Sequence, residues 1–106
     1  MSPVARNSSL SDGRRTLRKA VKLNARLRDR GATRFDIKVT DLSLTGFRAE
    51  TAYRLHPGTL VWISLPGLAS LEAEVAWQDR EYVGCKFSTP LYPAVFDHIV
   101  KLGGGS

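Results

Sequence analysis

From Lys19 to Arg28 the chain alternates strictly, with Val21, Leu23, Ala25 and Leu27 on one side and Lys22, Asn24, Arg26 and Arg28 on the other. A period of two belongs to a half-buried β-strand; a helical face would repeat its apolar positions every three or four residues. After Gly31 the alternation resumes, Phe35, Ile37 and Val39 interleaving with Arg34, Asp36, Lys38 and Thr40. Two such runs joined by a short polar turn predict an antiparallel hairpin. Opposed residues must point to the same face, so the expected register sets Leu27 opposite Phe35, Leu23 opposite Val39 and Val21 opposite Asp41. The turn then centres on Gly31.

The same period continues downstream. Short strands are expected over Gly46 to Thr51 and, after the Pro57-Gly58 turn, over Thr59 to Leu65. Leu71, Ala73, Val75 and Trp77 alternate with Glu72, Glu74, Ala76 and Gln78, and Val83, Cys85 and Phe87 form the inner face of a last strand. The facing rule pairs Val75 with Val83 and Leu71 with Phe87 across a turn at Asp79-Arg80. Six short strands in so few residues are most simply buried by closing the sheet into a small antiparallel barrel, which also removes its edges. Only the end reads as helical: Pro93 at a first-turn position precedes Ala94, Val95, Phe96, Ile99 and Leu102 at near-helical spacing. The expected fold is therefore all-β, a six-stranded barrel with a short C-terminal helix.

The length of 106 residues fits one domain, expected over residues 13–102 between a flexible segment 1–12 and a flexible tail 103–106. The most hydrophobic stretch, Leu60 to Leu71, is broken by Ser64, Pro66, Gly67 and Ser70, so no membrane insertion is expected. The first dozen residues have no apolar signal core and Cys85 has no second cysteine to pair with, which together point to the cytoplasm. The net charge of +6 is unevenly placed: residues 1–30 hold nine basic side chains against Asp12 and Asp29, and the rest of the chain is close to neutral. A basic beginning on a neutral body suits an anionic ligand, or simply a solvated face.

Catalytic groupings are scarce. His56 stands in a turn and His98 in the expected helix, with no HxH, HExxH or CxxC spacing to assemble a metal site. Glu72 and Glu74 share an outward strand face, and no nucleophile, base and orienting residue occur together. The chain is read as a non-enzyme with no catalytic residue, no metal and no cofactor.

Two short patterns remain. Arg14 and Arg18 form RxxxR, as do Arg26 with Arg30 and Arg30 with Arg34, so the pattern alone says little. Asp41-Leu-Ser43-Leu-Thr-Gly46 has the form DxSxxG, which can be a plain turn in which Asp41 and Ser43 bond nearby backbone and Gly46 supplies a positive φ. The hairpin decides between the arginine pairs. Arg18 before the first strand and Ser43 after the second fall at one end, while Arg26, Arg30 and Arg34 fall at the other, about 30 Å away at about 3.3 Å of rise per residue. Only Arg14 and Arg18 can share a site with Asp41 and Ser43. Guanidinium groups fork onto phosphate or the O6 and N7 of guanine, and a carboxylate accepts from guanine N1 and N2, so the set fits a guanine nucleotide.

With RxxxR and DxSxxG in this order around a strand hairpin, the sequence resembles the PilZ domain family over roughly Gly13 to Phe87. Gly84-Cys85-Lys86-Phe87 is similar to the GxxF of that family's final strand, and Trp77 and the Pro57-Gly58 turn fall at matching places. The resemblance implies a barrel of PilZ type that binds the bacterial second messenger cyclic di-GMP. It implies that Arg14 and Arg18 hold guanine and phosphate, that Asp41 and Ser43 bond a guanine edge or a phosphate, and that Gly46 shapes the turn. Many members carry an arginine directly before RxxxR; here Gly13 stands there, and Arg15 is available for an extra contact.

The expectation is a cyclic di-GMP receptor whose N-terminal loop and interaction surface change when the ligand binds, acting on an effector protein. A second reading, a PilZ-type adaptor working through protein contacts without ligand, stays open. A third, a basic barrel for single-stranded nucleic acid, lacks the aromatic residues that should be interleaved with Lys22, Arg26 and Arg28.

Overall fold

A computed structural model describes residues 18–31 and 33–104. Six antiparallel strands close into a barrel: β1 (Lys19–Asp29), β2 (Arg34–Leu42), β3 (Gly46–Glu50), β4 (Leu60–Ser64), β5 (Leu71–Asp79) and β6 (Tyr82–Phe87). Their order around the barrel is β1-β2-β3-β6-β5-β4. A helix, α1 (Pro93–Leu102), follows with Pro93 in its first turn, where the missing amide hydrogen costs nothing. The expected fold is the observed one.

The core is the inward half of each alternation. Leu27, Val39, Val61, Ile63, Val75 and Val83 are fully enclosed, and Ile99 of α1 joins them. The helix buries Phe96, Ile99 and Val100 in the same core. Its end is fastened as well: Gly103 is buried, with its carbonyl accepting from the Lys22 amide at 3.1 Å. A Cβ on Gly103 would stand 2.9 Å from that of Val21, so the first tail residue belongs to the packed body. Residues 1–17, Ala32 and 105–106, and with them the expected flexible start, lie outside the described residues.

Three β-bulges separate the observed register from strict alternation. In the first hairpin Leu27 faces Phe35 and Leu23 faces Val39 as expected, but Asp41 faces Ala20 in place of Val21. Between those pairs β1 spends two residues, Val21 and Lys22, against Thr40 alone. A bulged residue loses its ladder bond, and the Lys22 amide finds the Gly103 carbonyl instead. A second bulge lies at Thr40 in the pairing of β2 with β3. After Phe35, Ile37 and Val39 the buried residue is therefore Leu42, and Asp41, which strict alternation would drive into the core, stays at the surface layer.

The third bulge, at Ala76, corrects the last hairpin. Val75 faces Cys85 and Ala73 faces Phe87, in place of the expected Val75–Val83 and Leu71–Phe87 pairs, and the turn is Arg80-Glu81 with Arg80 at φ 57. Beyond the bulge the faces exchange. Trp77 points outward and is 42% exposed, while Gln78 is half-buried and ties down the loop between β3 and β4, accepting from the Leu55 amide at 2.6 Å and donating to the Tyr53 carbonyl at 2.8 Å.

Candidate functional site

The link between β2 and β3 is Ser43-Leu44-Thr45, a tight reversal onto Gly46 held by its own serine. The Ser43 amide donates to the Gly46 carbonyl at 2.9 Å, and the Gly46 amide donates back to Ser43 Oγ at 3.1 Å. Two further bonds seat the turn on the barrel: the Phe87 amide donates to the Thr45 carbonyl and the Leu91 amide to the Leu44 carbonyl, each at 2.8 Å. Ser43 thus bonds nearby backbone as the turn reading of DxSxxG expects. Gly46 departs from that reading, for its φ is not positive. It is a glycine because β6 passes so close that a Cβ would lie 2.2 Å from the Cys85 carbonyl oxygen.

The Asp41 side chain bonds no backbone group among the described residues. Cross-strand pairing sets it opposite Arg48, whose guanidinium forms an ion pair with its Oδ2. Thr40, brought alongside by its bulge, accepts from Arg48 Nε at 3.5 Å and donates to the Arg48 carbonyl at 3.2 Å. The Asp41 side chain is 19% exposed, and its Oδ2 is enclosed with charge contact from Arg48 but no directed hydrogen bond among the described residues.

These residues border one open cleft of about 190 Å³, to which Arg18 contributes from just before β1. Its wall includes Asp41, Ser43, Gly46, Arg48, Trp77 and Lys86. Trp77 lies across Gly84, its cross-strand partner, where an added Cβ would stand 2.2 Å from the indole nitrogen; glycine there lets the ring lie flat beside the cleft. Arg18, Arg48 and Lys86 against Asp41 leave the cleft positive. Cys85 also borders it from the core side, and burial pushes its thiol up to about 12, so at neutral pH it is a protonated packing group.

Four of the residues named from sequence, Arg18, Asp41, Ser43 and Gly46, thus share one site. Arg14 and Arg15 lie outside the described residues. Three residues of that wall, Arg48, Trp77 and Lys86, escaped the sequence reading of the site. Arg48 could have been found by applying the facing rule to the second hairpin, since a turn at Leu44-Thr45 sets Asp41 against Arg48. Trp77 could not, because alternation assigns it to the inner face.

A family model, described as the PilZ domain, matches residues 12–102. The chain belongs to the PilZ domain family. Among solved structures, this PilZ domain is similar to the crystal structure of the PilZ domain of CeSA from a cellulose-synthesizing bacterium. The two share 14% identity with a TM-score of 0.62, over 83% of this chain and 95% of that one, a likeness of fold. No curated protein matches the chain. Among the described residues of this PilZ domain no three His, Cys, Asp or Glu side chains are grouped to hold a metal ion, and no helix is long and apolar enough to cross a membrane.

Proposed function

We propose that the cleft binds cyclic di-GMP and that occupancy alters the surface this domain offers to an effector protein. The observation that carries the reading is the meeting of Arg18 with Asp41, Ser43 and Gly46 in one positive cleft beside an exposed indole. Each group has a task that the ligand's chemistry supplies. The Arg18 guanidinium pairs with a phosphodiester oxygen or a guanine O6/N7 edge. The part-exposed Asp41 carboxylate accepts from guanine N1–H and N2–H, and Trp77 gives a face on which the purine stacks. Ser43 keeps the turn in shape, its hydroxyl already engaged by the Gly46 amide.

At about 190 Å³ the cleft is smaller than the roughly 300–1,000 Å³ that encloses a drug-sized ligand, so it takes one guanine and the adjoining phosphate. The rest of the ligand falls to Arg14 and Arg15, whose assignment rests on the RxxxR motif, and closure of that segment is the proposed switch. Hydrogen bonds to charged groups contribute about 1.5–3 kcal/mol each, whereas micromolar affinity needs about 8 kcal/mol. Several contacts must therefore act together.

Titration calorimetry of the full chain with cyclic di-GMP, beside GTP and the linear dinucleotide, tests the reading. Saturable binding of the cyclic ligand in preference to both controls is expected. A flat isotherm for the cyclic ligand sinks the reading and favours a ligand-independent adaptor.

A further inference from the structure

At the opposite end of the first hairpin a second basic surface is assembled from three strands. Arg28 of β1 stands directly opposite Arg34 of β2 on one side and opposite Trp62 of β4 on the other. Like charges set directly opposite each other across a β-pair are unfavourable, and chains normally relieve them with an acidic neighbour. Here no relief is present: neither arginine has an acidic partner among the described residues. Asp36, which borders the same groove, is engaged by Arg26 Nε at 3.2 Å. Arg28 instead lies over the Trp62 ring, 4.6 Å from its centroid, which holds the guanidinium in place without neutralising it. Together with Ser64 and Ser70 the arginines border an open groove of about 590 Å³.

We infer that this groove is a docking site for an acidic segment of a partner protein. An unrelieved Arg28–Arg34 pair is a cost to the free protein that an incoming carboxylate would remove, since one carboxylate between two guanidinium groups converts a repulsion into two attractions. The charge left over on the face has the sign that recognises Asp and Glu. Single-stranded nucleic acid is disfavoured because the ring on this face, Trp62, is half-buried and covered by Arg28, leaving no open indole for a base. Ten residues of β1 separate Arg28 from Arg18, about 30 Å at about 3.3 Å per residue, so this groove and the nucleotide cleft can be filled together. The inference does not depend on which nucleotide, if any, the cleft takes.

The test uses the full chain and amide NMR with three probes: a twelve-residue Glu/Asp-rich peptide, its Gln/Asn counterpart and a twelve-residue oligothymidylate. The acidic peptide is expected to shift the amides of Arg28, Arg34 and Ser64 and to leave Ser43 and Gly46 in place, with the neutral peptide inert. The Arg28→Gln/Arg34→Gln double variant is expected to bind the acidic peptide at least tenfold more weakly while melting within a few degrees of the parent, because the repulsion it sheds offsets the Arg28–Trp62 contact it loses. Unaltered affinity in that variant would overturn the inference, as would shifts confined to the cleft, or tighter binding of the oligonucleotide than of the acidic peptide at this face.

Discussion

Asp41 of β2 lies directly opposite Arg48 of β3, and the Arg48 guanidinium closes on the Asp41 carboxylate at the border of the cleft. The bulge at Thr40 makes that meeting possible, because it holds Asp41 at the surface while Leu42 takes the next place in the core. A guanine arriving at Asp41 meets an acceptor already oriented by its counter-charge. With Arg48 45% exposed the pair is screened by solvent, so its worth to the fold is about 1 kcal/mol or less. Asp41→Asn is therefore expected to melt within a few degrees of the parent yet to bind cyclic di-GMP at least tenfold more weakly. Calorimetry beside a thermal melt separates the two effects.

Arg18 approaches the cleft from just before β1 and Trp77 from β5, so their contributions should be separable. Arg18→Ala removes a charge-assisted contact and Trp77→Ala a stacking face. Each is expected to weaken binding of cyclic di-GMP at least tenfold, about 1.4 kcal/mol. Indole fluorescence should change on titration of the parent and lose most of that change in Trp77→Phe, which retains Trp62 as an internal reference. An unchanged response in Trp77→Phe would remove Trp77 from the site.

Gly46 and Gly84 look alike in sequence and differ in what an added methyl would strike. At Gly46 the obstacle is the Cys85 carbonyl oxygen at 2.2 Å, which is backbone and can move only by opening the β3–β6 pairing. Gly46→Ala is expected to lose about 3 kcal/mol of stability in urea unfolding. At Gly84 the obstacle is the Trp77 side chain, which can swing outward. Gly84→Ala should cost less stability and should weaken ligand binding by displacing the ring.

The buried Cys85 thiol links the core to alkaline pH. Its pKa is raised from 9.0 to about 12 by burial, so the native state keeps its proton while an unfolded chain releases it above about pH 9. The stabilisation is complete below pH 9 and is lost as pH rises toward 12. Tyr82 is shifted in the same direction, first by its hydrogen bond to Glu50, and contributes to the same alkaline loss. Cys85→Ala is expected to flatten the fall in urea midpoint above pH 9 without abolishing it. In the parent, a thiol reagent at pH 8 should label Cys85 only after denaturant is added.

Much of the molecule was open to reading from the chain alone. The alternations through Val21–Leu27 and Phe35–Val39 dictate a hairpin with one buried side, and a closed barrel follows because six short strands have no other way to cover both their apolar face and their edges. Convergence of Arg18 with Asp41 and Ser43 was equally readable, since it needs only the facing rule and the length of a strand. What period-two reasoning could not reach are the three places where the strands bend. A bulge arises when the closing barrel demands more curvature than a regular ladder provides, and that demand comes from neighbours remote in sequence. The bulge at Thr40 keeps Asp41 out of the core, the one at Ala76 turns Trp77 from core to cleft, and the one at Val21-Lys22 ties β1 to the end of α1. The Arg28–Trp62 contact belongs to the same class, because β1 and β4 become neighbours only when the sheet closes. Local periodicity decided which residues form strands; closure of the barrel decided where those strands had to break step, and with it which side chains face the cleft.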